Sequence, residues 1–342
     1  MKKFVCMAMT AALLMSLCAC GGGDNSTNTS TSGSQDGGDA QKTYDLQLAN
    51  NLPTTHVYNI AFEELANTLK EKSNGQINLK LYPAEQLGVE KEYVDQVFAQ
   101  TLDFGTSGPS EIANRYKPAM VFDAPYLFDS WEQMLEFTNG EASQFIWDDL
   151  KEKFNVEALV HLYYGTREIT ANKEIHTPAD MAGMKFRVPN GPMQLAYGKA
   201  FGANPTPTAL GEVYLGLQQG VVDGQENPLV TIDTYKFNEV CDYLVMSDHI
   251  VALVSVYASG ERLAALPEDI QTIIRDEFKA IADPTSQAIA DAEAELVSKF
   301  EEGGMTVIEP DKEAFKEACA PIYTEFESEW GEGLVEKIQS AT

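Results

Sequence analysis

Two kinds of hydrophobic periodicity alternate along the chain, and that alternation leaves few folds open. Leu46-Gln47-Leu48 and Ile77-Asn78-Leu79-Lys80-Leu81 are apolar at every second residue, as half-buried strands are, while residues 61–69 between them carry apolar side chains at helical spacing. The unit reads strand, helix, strand. It returns as a helix over residues 93–102 running into a strand end at 102–106, and again as a strand over residues 156–164. Chains patterned this way build α/β folds, whose ligand sites lie beyond the carboxyl ends of strands. The strand-to-loop junction Thr106-Ser107-Gly108-Pro109-Ser110 is therefore a candidate pocket wall.

Near the end, Pro267-Glu268-Asp269 opens a helical pattern that continues to about Glu302, with Pro284 in its middle. A proline there removes one hydrogen bond and crowds the preceding turn, so the pattern predicts a kink near Asp283. One long helix lying across two domains and two consecutive helices within one domain both satisfy it.

The first 19 residues have two lysines, an apolar run and a small residue before the end, the build of a secretory signal peptide. The run is too short for a retained membrane span. It closes Leu17-Cys18-Ala19-Cys20, which resembles a bacterial lipobox, with Cys20 as the cysteine to be acylated. Residues 21–42 hold almost nothing that can be buried, so they read as a disordered tether. About 300 residues remain, enough for two domains. A net charge of −28 excludes nucleic acid and anionic membrane surfaces as partners, since no basic cluster is present to meet phosphates. Attachment to a membrane is expected through the lipid alone. Of the later cysteines, Cys241 and Cys319 pair only if the fold brings their Cα atoms within about 7 Å; buried free thiols are the competing state.

The chemistry concentrates in residues 165–229, which contain two of only five arginines in a strongly acidic chain. In Lys185-Phe186-Arg187-Val188-Pro189, alternation turns Arg187 away from Phe186 and Val188, and Pro189 places it near a strand's end. A guanidinium there offers a carboxylate a rigid two-pronged fork. Arg167, after the tight Tyr164-Gly165-Thr166 junction, supplies a second candidate clamp. For either arginine the competing role is a buried ion pair with one of the many acids. Asn227 before Pro228 reads as a turn residue whose amide orients a ligand, and Asn190 as the same or as a simple turn former. The four histidines fall in no HExxH, and there is no GxSxG, phosphate loop or dinucleotide fingerprint. No cofactor or metal is expected.

Taken in order, YPAEQLG (82–88), APYLF (124–128), GTREIT (165–170), GMKFRVPN (183–190), GANPTPTALGEVYLGLQQGVVDGQENP (202–228) and EVCDYLVMSDH (239–249) resemble the solute-binding proteins of tripartite ATP-independent periplasmic (TRAP) transporters, the DctP family. RVPN, LAYGKA, GANPTP and DGQENP look most like its sialic-acid-binding branch. The resemblance implies a periplasmic-binding-protein-like fold: two α/β domains, residues 44–164 plus 253–292 and 165–252 plus 293–342, joined by hinge strands and a long kinked helix. It implies a monomer, not an enzyme, that captures an organic acid outside the cytoplasm and delivers it to one small and one large integral membrane protein. Arg187 corresponds to the principal carboxylate ligand, Arg167 and Asn227 support the same group, and Asn51 lies near the first strand's end. Three positions depart from the sialic-acid pattern: Val89 stands for an acid, Gly108 for a glutamate and Leu210 for an aromatic. These departures favour a smaller acid, a uronate, an aldonate or a C4-dicarboxylate-like compound, with sialic acid as the alternative. A secreted enzyme acting on acidic sugars, or a receptor that senses without importing, would use the same pocket.

Overall fold

A computed structural model describes residues 42–340. The signal peptide, Cys20 and tether read from residues before Lys42 lie outside that range. Nine strands form one sheet: β1 (Tyr44–Ala49), β2 (Ile77–Tyr82), β3 (Phe104–Ser107), β4 (Val156–Ala171), β5 (Lys185–Val188), β6 (Asn204–Pro207), β7 (Gly224–Pro228), β8 (Tyr243–Ser259) and β9 (Thr306–Ile308). The order is β2-β1-β3-β8-β4-β7-β5-β6, with β9 added to β8. Helices pack around this sheet, giving the α/β class that the alternating periodicities call for.

The first unit shows how sequence becomes layer. In β1 and β2 the apolar set Leu46, Leu48, Ile77 and Leu79 is buried while Asn78 and Lys80 face out. The helix Val57–Lys72 between them buries Tyr58, Phe62, Leu65 and Leu69, a stripe at steps of four, three and four. His56 caps it by accepting a hydrogen bond from the Tyr58 amide at 3.2 Å. β1 then pairs in parallel with both β2 and β3.

The two long strands organise the rest. β4 and β8 run antiparallel over most of their length, with register shifts at three places including Tyr163/Gly165. One end of β8 pairs with β3 and the other with β9, while the far end of β4 pairs with β7. Both strands therefore pass from one set of short strands to the other. Gly165 permits the irregularity in β4, with φ +122° and no room for a Cβ, which would come within 2.5 Å of Glu293 Oε1 and Pro228 Cβ.

The long helical pattern at the end of the chain is bent. It resolves into Glu268–Ala280 and Ala282–Glu302, separated by Ile281 alone. The break falls two residues before the expected Asp283, because Pro284 then sits in the first turn of the second helix, where its missing N–H is no loss. Asn227 is a correction to the turn expectation. It lies inside β7, paired with Glu168 of β4, and Pro228 ends the strand and caps the helix Leu229–Thr234. Cys241 and Cys319 are buried free thiols, each raised to about 12 by burial.

Candidate functional site

The carboxyl ends of β3, β5 and β7 converge on the middle of β4 and β8, and a cavity opens there. Its wall takes Thr106, Ser107, Gly108 and Ser110 from the end of β3, Arg187 and Pro189 from β5, and Asn227 from β7. Tyr164 and Arg167 come from β4, Ala252, Leu253 and Val254 from β8, and Asn51, Leu52, Glu90, Asp123, Gln194 and Leu210 from flanking loops and helices. Arg187, Arg167, Asn227, Asn51, Gly108 and Leu210 are thus brought together. Val89 and Asn190 are not in that wall; they line an adjoining groove that shares Arg187, Glu90, Ser110, Pro189 and Leu210 with the cavity.

The two arginines differ in what they have left to give. Arg167 is ion-paired to Glu226: its Nε donates to Oε2, and its Nη2 donates to Oε1 at 2.9 Å, to the Glu226 carbonyl at 3.0 Å and to Asn227 Oδ1 at 3.3 Å. Burial alone would raise the Glu226 carboxyl, but the Arg167 charge and contacts from His249 outweigh it and hold it at about 2. For Arg167 the ion-pair role is therefore the one the structure shows, and any part in holding a ligand is shared with Glu226. Asn227 is tied in as well, donating to Gln225 Oε1 at 2.5 Å.

Arg187 is different. It is 3 % exposed, and its Nε and Nη2 both donate to the Thr208 carbonyl, at 3.0 and 2.7 Å. Nη1 has no partner, and no ion pair to Arg187 occurs among the described residues. Burial pushes its guanidinium below the ordinary value, only partly offset by more distant acids such as Glu226. A buried cation without a carboxylate in reach is costly, and an anion seated against Nη1 removes that cost.

Sequence reasoning missed the acids of this wall. Glu90 opens the helix Glu90–Phe98, accepts from Ser107 Oγ at 2.7 Å and Asn51 Nδ2 at 3.2 Å, and is raised to about 7 by burial. Asp123 accepts from Gln194 Nε2 at 2.8 Å and is raised to about 6, again by burial. Glu90 directly follows Val89, so attention to that departure passed over its neighbour; its place between the QLG loop and the helix expected over residues 93–102 was the available signal. Nothing in the local sequence marks Asp123, which reaches the site only through tertiary packing. Asn51 is also fixed from behind, its carbonyl accepting from the Tyr235 hydroxyl.

Comparison with known proteins fits this geometry. Residues 48–329 match the family model described as bacterial extracellular solute-binding protein, family 7 (DctP). The sialic acid-binding periplasmic protein of Vibrio cholerae is 39% identical over 281 residues, covering 82% of this chain and 87% of that one. A TRAP periplasmic solute-binding protein of Roseobacter denitrificans, solved with bound L-galactonate, superposes with a TM-score of 0.82 at 30% identity, covering 88% of this chain and 99% of that one. Another from Ochrobacterium anthropi, solved with bound L-fuconate, gives 0.83 at 30% identity, covering 87% and 99%. These are binding proteins of transporters, which sets aside the secreted-enzyme alternative. By matched family model, sequence and fold, the chain belongs to the DctP family of bacterial extracellular solute-binding proteins.

Proposed function

We propose that this protein captures a small organic acid, a uronate, an aldonate or a dicarboxylate-like compound, outside the cytoplasm and hands it to the membrane subunits of a TRAP transporter. One observation carries the reading: Arg187 is buried in a cavity at the convergence of three strand ends, with Nη1 unpartnered. Arg167, ion-paired to Glu226 and donating directly to Asn227, frames the same wall with it. The bound sugar acids of the similar Roseobacter and Ochrobacterium proteins support the ligand class. In this reading residues 44–164 plus 253–292 and residues 165–252 plus 293–342 act as two lobes. They close about β4 and β8, expelling water and strengthening each charged hydrogen bond. The closed shape then docks on one small and one large integral membrane protein. No helix among the described residues is long and apolar enough to cross a membrane, and attachment is assigned to an acylated Cys20.

Sialic acid is the second reading, supported by the Vibrio relative. Gly108 and Leu210 at the cavity wall and Val89 in the adjoining groove stand against it, since none offers a hydroxyl or N-acetyl group a hydrogen-bonding side chain. A thermal-shift screen of sialic acid, uronates, aldonates and C4-dicarboxylates separates the readings, because a ligand that binds only the folded state raises its melting temperature. A shift with a sugar acid and none with sialic acid is expected. A shift with sialic acid alone overturns the preferred ligand class, and no shift with any acid overturns the binding role.

A further inference from the structure

The cavity presents one arginine without an ion pair, Arg187, and an excess of acceptors. The wall that holds the unpartnered guanidinium nitrogen of Arg187 also holds two carboxylates, Glu90 and Asp123, neither of them in an ion pair among the described residues. Glu90 accepts from Ser107 Oγ, Asn51 Nδ2 and the Gly108 backbone amide, and Asp123 from Gln194 Nε2 and the Ser110 backbone amide. A carboxylate has about four lone-pair sites, so both retain room for more donors. Gln194, 3 % exposed, also leaves its Oε1 with no partner. That is a buried acceptor on the wall where Asp123 lies.

Such a wall asks for a particular ligand. A carboxylate suits Arg187, and the Glu226 charge already occupies Arg167, so the site compensates one negative charge. Hydroxyl groups suit the remaining acceptors, because an O–H donates where a second carboxylate cannot. A second carboxylate near Glu90 or Asp123 would meet like charge in a buried setting and leave acceptor facing acceptor. Burial raises both acids, and the Arg187 charge on Glu90 and the Arg167 charge on Asp123 offset only part of that rise.

We propose that Glu90 and Asp123 are specificity-determining residues that make the pocket select singly charged polyhydroxy acids and reject dicarboxylates, with Glu90 accepting a hydrogen bond from a ligand hydroxyl. The proposal rests on the reading of the cavity as an organic-acid site and narrows it, removing the dicarboxylate-like compounds from the ligand class.

The test uses acids that share a carbon chain and differ only in whether the far end is a primary alcohol or a carboxylate. Calorimetric titration at pH 8 would compare galactonate with galactarate, gluconate with glucarate, and erythronate with meso-tartrate, on the wild type, Glu90→Gln and Asp123→Asn. The expected result is that the tightest-bound monoacid exceeds its diacid partner by about tenfold or more in the wild type. Both variants should narrow that ratio, chiefly by gaining affinity for the diacid. Melting curves establish that each variant is folded, and either one suffices to read the ratio. The proposal falls if the wild type binds a diacid as tightly as its monoacid, or if both folded variants keep the wild-type ratio. If no member of any pair binds, the selectivity falls, and the organic-acid reading falls with it only if the uronates and sialic acid of the thermal-shift screen are silent too, whereas a diacid preference sinks only the selectivity.

Discussion

At the residue scale, what a side chain does here depends on who already holds it. Arg167 and Arg187 look alike in sequence, and both lie in the cavity wall, yet Glu226 takes up one and leaves the other free. Sequence could place two arginines near strand ends but could not tell them apart, because β7 brings Glu226 across to β4 only by tertiary pairing. Histidines show the same dependence. His161 is buried against the Trp147 ring at 4.4 Å, with Nδ1 2.7 Å from Ser255 Oγ, and burial pulls it from 6.5 down to about 3. A depressed imidazole stays neutral in the folded state while the unfolded chain takes up a proton below 6.5. Its contribution is therefore whole above that pH and is lost as pH falls toward 3. In urea unfolding of wild type and His161→Gln, the stability difference should move against the wild type by about 1 kcal/mol per pH unit between pH 6 and 4. A pH-independent difference would show that His161 titrates alike in both states.

At the element scale, the parts that sequence revealed were those with one wet face. β1, β2 and the helix between them announce themselves because Asn78 and Lys80 interrupt the buried Leu and Ile residues. β7 did not, since Gly224-Gln225-Glu226-Asn227-Pro228 is buried throughout and contains no typical strand former. It is held by pairing to β4 and β5 on both sides, a constraint invisible locally. The bend in the long helix was legible from Pro284, apart from a two-residue offset. Where that helix crosses β4, Glu293 accepts from the Tyr163 hydroxyl at 2.6 Å and the Thr166 amide at 3.1 Å, and Gly165 lets the strand come this close. Gly165→Ala should cost about 2 kcal/mol in urea unfolding, through positive φ and overlap with Pro228 and Glu293. An unchanged midpoint would mean the crossing is loose enough to absorb a methyl group.

At the scale of the whole molecule, a chain of net charge −28 keeps one arginine buried in a cavity without an ion pair among the described residues. Every other arginine takes part in an ion pair, and Arg187 alone among the five lacks a counter-charge. The family was readable from the order of RVPN, GANPTP and QENP along the chain, motifs that the fold turns into β5, β6 and β7 with their adjoining residues. The acids of the cavity were not, since Glu90, Asp123 and Gln194 converge from separate segments. Every part of the account depends on Arg187 holding the ligand's carboxylate, and calorimetric titration of Arg187→Ala with the tightest acid of the screen addresses it directly. The account predicts a loss of about 2 to 5 kcal/mol of binding free energy with the fold intact. Near wild-type affinity in the folded variant would contradict it.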